Sequence, residues 1–268
     1  MDNVELKHLQ NVILGIMKDI DGLCQENSIE YYLLGGSAIG AVRHHGFIPW
    51  DDDMDIIMDC KNYDKFIRVC KEKLNREKYS LQEGLHDWSM YFSKIRLKGT
   101  KLVEGVTYTD DPDKQGIYVD IFKMDNVPSN RMKARWQYFC AKTFLCYQLS
   151  VRGEAHNTFG AKKKIMMLLS FPLRIKAIRE WFKAQVEKYN KQDTPYWGCF
   201  YGRTNFRTSI VRKDIFGKPV RVPFEDTQLC VAEHYHEYLT QMFGDYMTPP
   251  PIEKQSGLHV VSVDFGKY

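Results

Sequence analysis

Apolar residues recur at helical spacing through the first part of the chain, at Val4, Leu6, Leu9, Val12, Ile13, Ile16 and Ile20. This pattern predicts an amphipathic helix over residues 4–24. "IEYYLLGG" follows as a brief β-rich run halted by two glycines. "AIGAVRHHG" then reads as a short helix, with Ser37 as its N-cap and Gly46 closing it, and Pro49 prevents continuation. "MDIIMD" predicts a second strand and "KNYDKFIRVCKEKL" a helix; "YSLQ", "MYFSKIRL" and "IYVDIFKMD" predict three further strands. Beyond Pro128 the chain turns helical and aromatic to about residue 150, and "GEAHNTFG" reads as a linker into a basic helical region. From Pro195 there are two short apolar runs, a helix "TQLCVAEHYHEYLTQMFG" and a "TPPP" stop. Mixed strands and helices in the first half, with helices in the second, predict an α+β fold: a mixed β-sheet core flanked by helices, with a helical C-terminal elaboration.

Composition narrows the classes. At 268 residues and 44% hydrophobic, the chain can bury a substantial core. The N-terminus lacks a signal-peptide pattern, and no run of roughly 18 apolar residues predicts a spanning helix. Seven cysteines form no CxxC pair, so reduced, packed thiols and a cytoplasmic location are expected. Net charge is only +4, but residues 161–190 carry eight basic side chains against Glu180 and Glu187. Acids gather instead at 51–59 and 110–125. That segregation predicts a cation site in one region and an anionic surface partner for the other.

Asp51, Asp53 and Asp55 lie at alternate positions, so an extended backbone turns all three one way and Met54 and Ile56 the other. Such a group of carboxylates calls for a neutralising cation. Hard oxygen ligands favour Mg²⁺, Mn²⁺ or Ca²⁺, and the calcium-hand reading fails because Ile56 and Asn62 stand where that loop needs Gly and Glu. Magnesium with a phosphate partner remains. "GGSAIGAV" lies upstream; it is neither a Walker A loop nor a dinucleotide fingerprint, yet a glycine-rich helix start binds anions through its backbone amides. Asp120, centred in the apolar run "IYVDIF", is the natural further acid from a neighbouring strand. Lys94, Arg96 and Arg43 are candidates to hold phosphate oxygens.

These residues resemble a known family. "YYLLGGSAIGAVRHHGFIPWDDDMDIIM" is similar to the signature of the LicD family, phosphocholine transferases related to fukutin-type proteins, and the likeness continues through "KIRLKGT", "GIYVDIFKMDNVP", "VPFE" and "GDYMTPP". The resemblance implies a polymerase β-like nucleotidyltransferase fold. It places the phosphate-binding turn at Gly35, Gly36 and Ser37, the metal-binding acids at Asp51, Asp53 and Asp55, and the later strand acid at Asp120. The closing segment offers Lys254 and His259 at altered spacing. On this basis residues 1–125 are expected to form the catalytic core, and 126–268 a helical and C-terminal region that completes the site and binds the acceptor.

The expected reaction is metal-dependent transfer of phosphocholine, or a similar phospho-group, from CDP-choline or a related CDP-linked donor. The acceptor is a hydroxyl of a cell-surface glycan precursor such as lipopolysaccharide or teichoic acid, and CMP leaves. Mg²⁺ or Mn²⁺ is the expected cofactor; Asp53, Asp55 and Asp120 are the catalytic candidates, and Gly35, Gly36, Ser37, Arg43, Lys94 and His259 the substrate-binding ones. Alternatives are a metal-dependent glycosyltransferase, which leaves the glycine turn idle, and a non-catalytic envelope-assembly scaffold. Aromatic faces suit a quaternary cation, and Trp50, Trp88, Tyr91, Phe92, Tyr118, Trp197 and Tyr201 are available without defining a cage. The basic stretch 162–188 suits peripheral contact with the anionic inner face of a membrane. No nucleic-acid partner is expected.

Overall fold

The computed structural model describes residues 2–88, 90–104, 111–151, 165, 168–201, 204–255 and 260–268. Helix α1 (Asn3–Glu26) begins at a capping box in which Asp2 accepts from the Val4 and Glu5 amides, both at 2.8 Å. Next come β1 (Tyr32–Leu33), α2 (Gly35–His44), β2 (Asp55–Asp59), α3 (Cys60–Lys73), β3 (Tyr79–Gln82) and β4 (Ser93–Leu97). They are followed by β5 (Lys101–Glu104), β6 (Tyr118–Val127), α4 (Arg131–Val151) and α5 (Lys176–Glu187). The remaining elements are β7 (Tyr196–Gly198), α6 (Phe206–Ser209), β8 (Ile210–Arg212), α7 (Lys213–Phe216), β9 (Val220–Phe224), β10 (Thr227–Val231), α8 (Tyr235–Phe243) and β11 (Val260–Asp264).

The main sheet is mixed, in the order β1-β2-β6-β4-β3, with only β2 and β6 parallel. Strand β6 is long enough to serve two sets of neighbours. Its first part lies between β2 and β4, and its end pairs with β7, which carries β8. Ile56 and Ile121 face each other in register and are fully buried, and α1 and α3 pack on β6. One apolar core surrounds this sheet and draws on residues from Leu9 to Val260. A second, smaller one joins Tyr91 and Val127 to α4, α5, Phe200 and Tyr201. The α+β expectation therefore holds. All seven cysteines are unbridged and six are buried, as packed thiols should be.

Three local expectations need correction. Ser37 is not the N-cap of α2: the helix starts two residues earlier, with Leu34 in the capping position, and the Ser37 hydroxyl is used elsewhere. The turn after α2 is made by His45, at φ +55°, rather than by Gly46. "TQLCV" is a strand and not the start of a helix, because it pairs along its whole length with "VRVPF" across a tight turn with Glu225 at φ +50°; only Tyr235–Phe243 is helical. Strand β5, unforeseen, is held by β11. The linker "GEAHNTFG" lies outside the described residues.

Candidate active site

The register of three strands builds the centre of the site. Asp120 on β6 lies opposite Asp55 on β2 and opposite Lys94 on β4, and Lys94 in turn lies opposite Gln82 on β3. Opposed residues share a sheet face, so these four side chains form one polar row across the sheet. Lys94 Nζ stands 2.8 Å from Asp120 Oδ1 and 3.2 Å from the centre of the Tyr118 ring. Burial governs the charges here. It pushes Asp55 well above the usual carboxylate range, helped by the neighbouring Asp53 and Asp120 carboxylates. Asp120 is also raised by burial, against the pull of Lys94, and burial lowers Lys94 against the pull of Asp120.

The chain enters β2 through the acids. Met54 and Ile56 are fully buried, while Asp51, Asp53 and Asp55 are each partly exposed, as their alternation predicted. Asp51, Asp52 and Asp53 offer carboxylate oxygens that all lie within 4.8 Å of one another. Asp52 has a structural duty: it is 2% exposed, and its Oδ2 accepts from the Val260 amide of β11 at 2.9 Å. Clustered carboxylates form a set of hard oxygen donors, and such a set fits a hard divalent cation.

Helix α2 presses its first turn against this cluster. Gly35 has φ +57°, and no side chain caps the helix start, which leaves its first amides available to an anion. A Cβ placed on Gly36 would stand 2.5 Å from Asp51 Oδ2, and one on Gly35 would stand 4.0 Å from Asp55 Oδ2. The Ser37 hydroxyl accepts from the Asp55 amide at 2.9 Å and so pins the helix to the strand. Gly35, Gly36, Ser37, Asp51, Asp53, Asp55, Asp120 and Lys94 are thus brought together.

Other candidates are placed elsewhere. Arg43 sits in the last turn of α2, roughly 12 Å of helix rise from Gly35, and donates to the Tyr246 carbonyl at 2.6 Å. Arg96 donates to Gln82 Oε1 and to the Gly116 carbonyl, both at 2.8 Å. His259 lies outside the described residues. Sequence reasoning overlooked Glu104 of β5, which accepts from the Tyr118 hydroxyl and adds to the upward shift of Asp120. It also missed an apolar cavity of about 240 Å³ bounded by Gly35, Asp55 and the residues behind them on the acid-bearing face, Ile57, Phe122 and Met124. The signal was present: Phe122 and Met124 follow Asp120 at alternate positions in the strand.

Residues 28–149 match the family model described as LicD/FKTN/FKRP, nucleotidyltransferase domain. Over 97% of its length the chain is 31% identical to the lipopolysaccharide cholinephosphotransferase LicD of Haemophilus influenzae, 98% of which is covered. The chain belongs to the LicD family. Uncharacterised proteins of Rickettsia prowazekii and Rickettsia typhi are each 51% identical to it over 41 residues, 15% of this chain. The LicD nucleotidyltransferase match runs from just before β1 into α4, so it takes in the glycine turn, every acid of the cluster, Lys94 and Asp120.

Proposed function

We propose that this phosphotransferase moves phosphocholine from a CDP-linked donor to a hydroxyl of a cell-surface glycan precursor, as in lipopolysaccharide or a teichoic acid. The observation that carries the reading is the α2 glycine turn packed against the acids of β2 and β6, in a chain of the LicD family. The uncapped amides at Gly35–Ser37 bind diphosphate oxygens. Asp51, Asp53, Asp55 and Asp120 hold Mg²⁺ or Mn²⁺, which supplies charge neutralisation on the diphosphate. In this reading Asp120 also takes the proton of the acceptor hydroxyl. The acceptor oxygen bonds to the phosphorus bearing choline, the bond from that phosphorus to the bridging oxygen breaks, and CMP leaves. Positioning and electrostatics are the protein's contribution to such a step. Lys94 positions Asp120 through its ion pair.

Residues 126–268 shape the acceptor side in this reading. No helix among the described residues is long and apolar enough to cross a membrane. A peripheral site at the cytoplasmic face brings the enzyme to a lipid-linked acceptor. Asp53→Asn and Asp120→Asn should each abolish release of CMP from CDP-choline while leaving the folded circular-dichroism spectrum intact. EDTA should stop turnover, and Mg²⁺ or Mn²⁺ should restore it. Near-normal rates in either variant, or turnover in EDTA, overturn the assignment. A nucleotide-sugar panel run in parallel separates the glycosyltransferase alternative by product mass.

A further inference from the structure

The cavity beside Asp55 is unusual in what it lacks. Aromatic rings of Phe122, Trp197, Phe216, Tyr238 and Phe243 line it. Trp197 meets Phe216 at 5.6 Å between ring centres, and Phe216 meets Tyr238 at 4.9 Å, so the wall is continuous. Four hydroxyl-bearing residues are among the lining, Thr204, Thr208, Ser209 and Tyr238. The first three are engaged locally: Thr204 with Ser209 at 2.7 Å, Ser209 with the Asn205 carbonyl at 2.6 Å, and Thr208 with the same carbonyl at 3.4 Å. The one ionisable acid among the described lining residues is Asp55, at the end next to Gly35.

That lining selects against most parts of a nucleotide-linked donor. A cytosine ring or a sugar brings donors and acceptors that would be buried without partners, at a cost. A trimethylammonium group makes no hydrogen bonds and is attracted to aromatic faces. A primary ammonium is also a cation, but its three N–H donors need acceptors, and beyond Asp55 and a few hydroxyls these mainly aromatic and aliphatic walls supply few. Position agrees with chemistry, since Gly35 and Asp55 belong both to the cavity wall and to the proposed phosphate and metal site.

We propose that this cavity seats the quaternary ammonium end of the transferred group, and that Trp197 and Phe243 set the preference for it over a primary amine. The proposal rests on the phosphocholine reading and adds to it the determinant of cargo. Phe243 is 47% exposed at the surface, so Phe243→Ala can be made without disturbing the core, whereas Trp197→Leu probes the deeper wall.

The experiment measures kcat/KM for CDP-choline and CDP-ethanolamine with wild type and both variants. Wild type should prefer the choline donor. Phe243→Ala should reduce the ratio of the two values by roughly tenfold, with the loss in KM for the choline donor, and Trp197→Leu should reduce it further if it folds. Because the readout is a ratio, a general loss of folded enzyme cancels. A wild type that uses both donors equally, or an unchanged ratio in Phe243→Ala, overturns the cavity assignment and leaves the transferase reading standing. A wild type that releases CMP from neither donor overturns both.

Discussion

At the scale of single residues, Gly36 is where the site has least room. A methyl group there would occupy the space of the Asp51 carboxylate, 2.5 Å away, but it would meet the end of a flexible side chain and no backbone. Gly36→Ala should therefore fold, with a melting temperature close to that of the parent, and displace Asp51. Turnover should fall by at least tenfold and the Mg²⁺ concentration for half-maximal rate should rise, both read from a metal titration of CMP release. Ser37 illustrates what a sequence conceals at this scale. A serine after two glycines ahead of an apolar run is an ordinary N-cap pattern, yet its hydroxyl serves the Asp55 amide of another strand. Local patterning sees the helix and cannot see a partner 18 positions away.

Among the elements, the most demanding arrangement is the row across β2, β6 and β4. Lys94 and Asp120 are both nearly buried, and the ion pair at 2.8 Å is what makes either charge tolerable. Lys94→Met should destabilise the protein by about 3 kcal/mol, as removal of one partner of a buried pair does, and adding Asp120→Asn should recover part of the loss. Urea denaturation of the single and double variants measures both. Much of this level was legible in sequence: alternation placed Asp51, Asp53 and Asp55 on one side, and the apolar flanks of Asp120 marked a strand. Register was not legible, since the β2–β6 pairing joins segments 65 positions apart. Nor was the β9–β10 hairpin, whose second strand ends close to the helix at Tyr235 and so extends the apparent helical pattern backwards. In short apolar runs, tertiary pairing decides between strand and helix.

For the whole molecule, the junction of its two apolar cores is electrostatic. Lys123 bonds Glu187 of α5 at 2.7 Å and lies 3.6 Å from Asp125, which accepts from Asn190 at 2.7 Å. Burial pushes Asp125 up to about 6, despite Lys123. A carboxyl raised on folding holds a proton that the unfolded chain releases, so its contribution to stability falls as pH rises from about 4 to about 6. Asp125→Asn removes that dependence. Relative to wild type, the variant should gain up to about 3 kcal/mol in stability across this window, and urea curves at pH 4 and pH 7 check the sign. Beyond that junction, Leu168, Leu169, Phe171, Ile175 and Trp181 are each about half exposed or more, alongside Arg174 and Lys176, and Trp136 reaches Trp181 at 6.2 Å between ring centres. Such a surface suits an anionic bilayer. Sedimentation with vesicles containing phosphatidylglycerol should be strong at low salt and weak at high salt, and Phe171→Ser/Trp181→Ser should abolish it; no binding at low salt excludes the contact. The basic stretch was evident in sequence, but its exposed aromatics were not, because helix periodicity alone cannot tell a core face from an unpartnered one.

The hydrogen bond from Val260 to Asp52 has a consequence in time. Synthesis delivers the glycine turn and the acids of the loop 51–55 well before the strand that fastens that loop, since Val260 follows Asp52 by 208 positions. A nascent chain folds from its N-terminus as it emerges. It can therefore begin the sheet before it can fix the carboxylates, and competence for metal and donor should appear only once Val260 has been made and has reached Asp52.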